Sequence, residues 1–354
     1  MINMYDVLVI GAGQAGLAAG YYLKQTGLEF LIIDEASSIG DSWRKRYDSL
    51  TLFTPRMYDG LPGMPLEGDK NSFPSKDEIS DYLETYAKHM DLPVRLECMA
   101  LRLWKEGEIF NLETTQGILK ASNILVATGP FQIKNVPMFS KSLSENVLQL
   151  HSSEYKNPSQ LVPGTTVVVG GGNSGAQITV ELAQVLKQPL YISVARNITF
   201  KPLYIMNRSI FWFFEKLGIL RANTRSMIGK WLRNQPEYVY GYELRELIRR
   251  GEVRVYPRAL NGLDNRIIYE DGSELVVDNV IWATGFKRND QWIQIANAFD
   301  LNGNIIHNEG VSPVKGLFFV GFPWQTSRGS ALLGWVKYDA QKIVNGIFQS
   351  MVAH

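Results

Sequence analysis

Gly11, Gly13 and Gly16 form a GxGxxG pattern directly after the apolar run Tyr5 to Ile10. Gly170, Gly172 and Gly175 repeat the pattern after the β-branched run Thr165 to Val169. This spacing suits phosphate chemistry. The first glycine permits a tight turn, the second lets backbone approach a pyrophosphate, and the third lets a helix pack closely on a strand. The helix that follows offers unpaired N–H groups to the phosphates. Gln14 and Ala15 lie inside the first turn and are candidate contacts there. Asn173 and Ser174 occupy the corresponding places in the second turn. They could cap the helix or touch the pyrophosphate, and both readings stay open.

The residue at the next strand's tip separates the two sites. The apolar strand Phe30 to Ile33 ends in Asp34, followed by Glu35, whereas the strand PLYISVA ends in Arg196. An acid there accepts hydrogen bonds from ribose hydroxyls, and an arginine favours a 2′-phosphate. The first site is therefore expected to take a dinucleotide without that phosphate. The second is expected to take NADPH, with NADH as an alternative. A tightly held FAD and an exchangeable nicotinamide form a natural pair, the nicotinamide giving hydride and the flavin accepting it.

The surrounding elements repeat as well. A helix LAAGYYLKQTG follows the first turn and AQITVELAQVLK the second. Each half later reaches an apolar strand ending in ATG: NILVATG, which carries Thr128 and Gly129, and NVIWATGF. Each of these is preceded by alternating apolar and polar residues that read as a small β-meander. A third apolar run, GLFFVGF, carries Gly321 and leads to Trp324 and Gln325. A helix over 330–348 is expected after it, with its N-terminus toward a flavin ring. The fold class is α/β, with two Rossmann-like dinucleotide-binding domains, each with a small β-meander. The FAD-binding domain is expected to be discontinuous, 1–159 and 288–354, with the NADPH-binding domain 160–287 inserted.

Composition excludes other classes. The 354 residues are 45% hydrophobic and 20% charged, too apolar for a disordered chain. Lys and Arg (36) nearly cancel Asp and Glu (35), so no nucleic-acid partner is expected. One cysteine, Cys98, can form neither an intrachain disulfide nor a redox pair, and it reads as a small apolar strand residue. Four scattered histidines give no metal-ligand pattern. No signal peptide and no membrane span are expected, which makes a cytoplasmic location the default. The aromatic run Phe211, Trp212, Phe213 and Phe214 reads as core, with a substrate entrance as the alternative.

Several segments taken together resemble one family: GAGQAG at Gly11, IGDSW at Ile39, SLTLFTP at Ser49, ATGPFQ at Ala127, GGGNSG at Gly170, the stretch from Arg196 to Phe214, and ATGF at Ala283. Over essentially its whole length the chain is similar to the flavin-containing monooxygenases and their bacterial relatives of the CzcO type. The resemblance implies FAD in the first site and NADPH, sometimes NADH, in the second. It places Ser42 and Trp43 against FAD, and Met99 at a backbone contact to adenine. Gln325 and Trp324 would approach the isoalloxazine. Thr54 is the only hydroxyl where the family sets a polar residue near flavin C4a, and it is the catalytic candidate. The family's linker fingerprint is matched at His151 and Tyr155 but departs at Glu145 and Val147. His151 is read as structural.

The implied reaction uses O2 and a small-molecule substrate. Reduced flavin would form a C4a-(hydro)peroxy adduct and oxygenate a soft nucleophile (sulfide or amine) or a ketone. A reductase or oxidase passing electrons to a quinone, a protein or O2 is the first alternative. A nucleotide-binding accessory of an ion-transport system is the second. A homodimer remains open.

Overall fold

The computed structural model describes residues 4–186 and 189–352. Residues 1–3 of the N-terminal reading and Lys187, the end of the second expected helix, lie outside the described residues. So do Ala353 and His354 at the end of the FAD-binding expectation.

Two sheets carry the chain. In the first, the strands lie in the order Val94–Arg95, Phe30–Ile33, Met4–Ile10, Gly117–Val126, Ile109–Thr114, Ala100–Glu106. Met4–Ile10 runs parallel to both of its neighbours. Gly117–Val126 has two different partners along its other edge. Its first half pairs antiparallel with Ile109–Thr114, and its last three residues pair parallel with Leu317–Phe319. One strand thus serves as both the last arm of the meander and the closing strand of the Rossmann core. The second sheet has five parallel strands, in the order Val253–Tyr256, Leu190–Ser193, Thr166–Val169, Asn279–Trp282, Leu148–His151. Its three middle strands are buried on both faces, which explains their unbroken apolar runs. Here the meander, Ala259–Leu263, Arg266–Tyr269 and Glu274–Val276, forms a separate three-stranded sheet. Residues 277 and 278 break the strand that stayed continuous in the first half.

The duplication reaches single side chains. Asn123 and Asn279 open the two closing strands, and both are buried. Asn123 donates to the Asp6 carbonyl at 3.0 Å. Asn279 donates to the Val162 carbonyl at 2.8 Å and accepts from the Val162 N–H at 2.9 Å. Asn279 thus ties the link at Val162 to its strand's first residue, and Asn123, inside Gly117–Val126, bonds a carbonyl of the neighbouring strand Met4–Ile10.

The structure departs from the sequence reading in three places. Leu148–His151 pairs with Asn279–Trp282, so the chain enters the second sheet upstream of residue 159. The last helix is Val336–Val352 and does not start at Ser330. A Cβ on Gly334 would lie 1.6 Å from the Tyr58 carbonyl oxygen, so 329–335 must run as a close-packed turn. Ser330 Oγ holds that turn by accepting from the N–H groups of Thr326 and Ser327, each at 3.0 Å. Finally, Cys98 lies in the irregular link before Ala100–Glu106, buried in the core.

Two antiparallel residues from each linker, Ile133–Lys134 and Phe286–Lys287, tie the halves together. An aromatic seam adds to that tie. Phe53 and Trp335 from the first half meet Phe211 and Tyr240 from the second, with ring centres 4.9 to 6.4 Å apart. Phe211 is fully buried there and Phe214 packs beside it. Trp212 and Phe213 are half-buried and pack edge-on to each other. The FWFF run is therefore core at one position in four.

Candidate functional site

The two glycine turns superpose in their steric logic. Gly11 has φ +109°, and a Cβ there would sit 2.6 Å from the Ala127 carbonyl oxygen. Gly170 has φ +128°, and its Cβ would sit 2.2 Å from the Ala283 carbonyl oxygen. The third glycine of each turn, Gly16 or Gly175, approaches the first glycine's carbonyl oxygen so closely that a Cβ would fall 1.9 or 2.0 Å away. The middle glycines differ. A Cβ on Gly13 or Gly172 would meet nothing within 4 Å. Both precede helices, Gln14–Lys24 and Asn173–Val185, whose N-termini have no side-chain cap and no acid in the first turn. Open space beside an uncapped helix N-terminus fits a pyrophosphate.

Asp34 stands beside the first turn. Its carboxylate accepts from the Ala12 N–H at 2.6 Å and the Ala36 N–H at 2.9 Å, which fixes its direction. Glu35 points outward and is exposed. The Cys98 N–H donates to the Asp34 carbonyl at 2.8 Å, so Met99 lies at the same sheet end. However, Met99's own N–H is taken by Thr115 Oγ1 at 3.0 Å. Thr128 and Gly129 follow the strand end that Gly11 touches, and the Gln132 amide donates to both, at 3.0 and 2.7 Å. Gly321, at φ +85°, packs against Ala15, where a Cβ would come within 2.7 Å. Gln14 reaches the Ala331 carbonyl at 2.9 Å. The first turn is thus locked from both later strands.

The Gly40 loop packs on the helix Lys76–His89, since a Cβ on Gly40 would lie 2.6 Å from the Ser80 carbonyl oxygen. Ser42 is exposed, and Trp43 packs on the first core. Two expected contacts are corrected. Gln325 is buried, with its Oε1 accepting from Phe322 N–H at 3.3 Å and its Nε2 donating to the Phe319 carbonyl at 3.0 Å. Its amide stabilises the loop and is not directed into an open site. Asn173 neither caps its helix nor faces the turn. It donates to the Tyr238 carbonyl at 3.0 Å and accepts from the Tyr240 N–H at 3.3 Å. Trp324 is half-buried and held at φ +59°, a left-handed conformation that is strained for a bulky residue.

In the second site Arg196 is exposed and forms no ion pair among the described residues. Ser174 lies beside the Tyr47 hydroxyl, which donates to Gln177 Oε1 at 2.7 Å. That contact crosses from the first half to the second. His151 is buried, with Nε2 at 2.9 Å from the Gly285 carbonyl and Nδ1 accepting from the Ser153 N–H at 3.2 Å. Nε2 is therefore the donor. Burial lowers the His151 pKa, so the neutral ring acts as a structural brace at the second ATG turn.

Sequence reasoning missed two charged groups at this junction. Arg46 lies 5.3 Å from the Phe131 ring centre and 4.8 Å from that of Phe286, and its Nε donates to the Ser42 carbonyl at 3.1 Å. Phe131 and Phe286 follow the two ATG turns, so one guanidinium spans both. Arg46 sits in the basic run RKR, which gave no signal of burial. Asp59 is fully buried, and Thr54 Oγ1 donates to both of its carboxylate oxygens, at 2.7 and 2.9 Å. Burial pushes the Asp59 pKa from the ordinary 3.8 to about 8, against the pull of the Thr54 bond and Arg56. Thr54 is therefore buried and committed to an acid that keeps its proton at neutral pH.

This geometry has a measurable consequence. The unfolded chain ionises Asp59 near its ordinary value, whereas the folded chain holds the proton to about pH 8. The stability from this group is present at low pH and is lost as pH rises from about 4 to about 8. Asp59→Asn removes that titration. The urea midpoint of the variant should fall less than the wild-type midpoint between about pH 5 and about pH 8. Equal falls would mean that Asp59 is ionised in the native state.

Comparison with known proteins places the whole arrangement. A pyridine nucleotide-disulphide oxidoreductase family profile matches residues 8–192. A CzcO-like oxidoreductase of Geobacillus kaustophilus is 50% identical over 98% of this chain and 99% of its own length. An indole-3-pyruvate monooxygenase of rice, Oryza sativa, is 26% identical over 96% of this chain and 90% of its own. A solved flavin-containing monooxygenase from Stenotrophomonas maltophilia matches 99% of this chain and 100% of that chain, with a TM-score of 0.82 and 25% identity. The chain belongs to the pyridine nucleotide-disulphide oxidoreductase family, as a CzcO-like oxidoreductase of the flavin-containing monooxygenase type.

Proposed function

We propose that the protein is an FAD-dependent, NADPH-using monooxygenase acting on a small soft nucleophile or ketone. The observation that carries the reading is the pair of sterically equivalent glycine turns with opposite groups at their ribose ends. Asp34 is oriented by two backbone N–H groups, and Arg196 is exposed without an ion pair. The first turn (Gly11, Gly13, Gln14, Ala15, Gly16) would hold the FAD pyrophosphate, and Asp34 would hold its ribose. The second (Gly170, Gly172, Ser174, Gly175) would hold the NADPH pyrophosphate, and Arg196 the 2′-phosphate. On this reading the inserted NADPH-binding part begins upstream of Leu148 and ends near 287.

Bound flavin supplies the redox chemistry, taking hydride from NADPH and activating O2. The protein's residues position and shield. The Phe53–Phe211–Tyr240–Trp335 seam excludes water between the halves. Arg46 draws the Ser42 loop and both ATG turns together. The Asp59 carboxyl keeps a proton next to Thr54 Oγ1. This last feature also favours the second reading, an NADPH oxidase, because the hydroxyl at the expected polar position is already spent on Asp59.

The two readings separate when NADPH-reduced protein is mixed with O2 in stopped flow, with H2O2 measured. A monooxygenase shows a long-lived absorbing transient before the oxidised spectrum returns. Given a sulfide, amine or ketone, it yields oxygenated product in place of peroxide. Immediate return to the oxidised spectrum, with peroxide equal to the NADPH consumed for every substrate class, makes the protein an oxidase.

Gly13 and Arg196 test the two turns separately. Gly13 has φ −77° and open space around it, so Gly13→Ala should fold yet lose bound flavin absorbance. Full flavin retention would remove the pyrophosphate from that turn. Arg196→Ala should raise KM for NADPH by about tenfold, the scale of one lost charge-assisted contact, and leave KM for NADH nearly unchanged. Equal effects on both would remove the 2′-phosphate role.

A further inference from the structure

The excursion 204–234 leaves the second half between two short strands, Thr199–Lys201 and Tyr238–Tyr240, which pair with each other and pin its ends. It holds a hairpin, Tyr204–Ile205 with Arg208–Ser209, and the helices Ile210–Lys216 and Met227–Arg233. Its charge is unlike the rest of the chain. It contains six basic residues, Arg208, Lys216, Arg221, Arg225, Lys230 and Arg233, and one acid, Glu215, leaving 30 basic against 34 acidic residues elsewhere; Arg221 pairs with Glu215 and Arg225 with Glu309. Within the helix Met227–Arg233 only Gly229 and Leu232 are buried. Met227, Ile228 and Trp231 are exposed at 88%, 61% and 60%, at positions that share one helix face. Lys230, next to Met227 around the helix, and Arg233, on the side away from the apolar face, are exposed and in no ion pair among the described residues. Elsewhere in the excursion, Met206 at the hairpin tip is 91% exposed.

We infer that this excursion docks the protein on an anionic membrane surface. Large apolar side chains turned outward together mark an interaction site. An exposed tryptophan in a basic segment suits the lipid headgroup boundary, where the ring lies at the interface and long basic chains keep their charge among the phosphates. No helix of the described residues is long and apolar enough to cross a membrane, so this contact is peripheral. A second copy of the chain fits the face poorly, because pairing it with itself brings like charges together. The excursion also borders a cavity of about 500 Å³, lined by Met206, Asn207, Arg208 and Trp212 with Met57 and Tyr58 of the first half.

The test is co-sedimentation of the flavin-loaded protein with vesicles of phosphatidylcholine alone or mixed with phosphatidylglycerol. Binding should require phosphatidylglycerol and fall as salt is raised. Ile228→Ser combined with Trp231→Ser should lower the bound fraction by about tenfold, and so should Lys230→Gln with Arg233→Gln. NADPH-driven flavin reduction should be unchanged in both variants, which shows that they fold. Absence of wild-type binding at low salt, or equal binding by folded variants, overturns the proposal. So does a vesicle-independent dimer that the same substitutions dissolve, which would assign the face to a second copy.

Discussion

The contact on which the rest depends is the approach of each glycine turn to the end of its closing strand. Ala127 and Ala283 present carbonyl oxygens where a side chain at Gly11 or Gly170 would otherwise stand. The same backbone path then brings Gly16 and Gly175 onto the carbonyls of Gly11 and Gly170. Two forbidden Cβ positions fix the pitch of the turn, and so fix where the helix starts. The middle glycine is left facing open space. Room for a ligand at the middle glycine therefore follows from packing alone, before any polar side chain contributes.

The halves share this frame and differ where their ligands would differ. In the first, the Asp34 carboxylate is held by the Ala12 and Ala36 N–H groups, so its lone pairs face a set direction. In the second, the matching place is an exposed arginine with no ion pair among the described residues. The first turn is further clamped by the Gln14–Ala331 bond and by Gly321 against Ala15. The second turn is bordered by Asn173, which holds a separate two-stranded unit. One site is walled by several distant segments and the other opens outward. That contrast suits a resident cofactor beside an exchanging one.

Sequence reading succeeded where residue type alone carries the constraint. The glycine positions and the ATG strand ends belong to that class, since their roles are steric. It failed where a side chain's partner comes from far along the chain. Asn173 sits at a helix start and looks like a cap, yet its partners lie 65 and 67 residues away. Gln325 is a local case instead: the loop folds back and takes up its side-chain amide within six residues. Ser330 carries a capping residue's signature, and the helix nonetheless waits until Val336 because Gly334 must pass Tyr58. Asp59 gave no signal, since the turn-like run PRMYDG reads as surface. Its burial arises from packing by the distant 329–335 segment, which no local pattern encodes.

Two halves that must exchange hydride need a fixed distance between their cofactors and a dry gap. The Ile133–Lys134 and Phe286–Lys287 pair is too short to set an angle by itself. The aromatic seam supplies further contacts, each pair of rings stabilising by about 1 kcal/mol. Trp335 Nε1 donates to Glu215 Oε2 at 2.8 Å, which gives that seam a direction as well as an area. Gln177 extends the connection, accepting from Tyr47 and donating to the Thr51 carbonyl at 3.0 Å. Thr51, Phe53, Thr54 and Asp59 all lie on one short stretch of the first half. The segment that carries the protonated acid is thus the same segment that positions the second half.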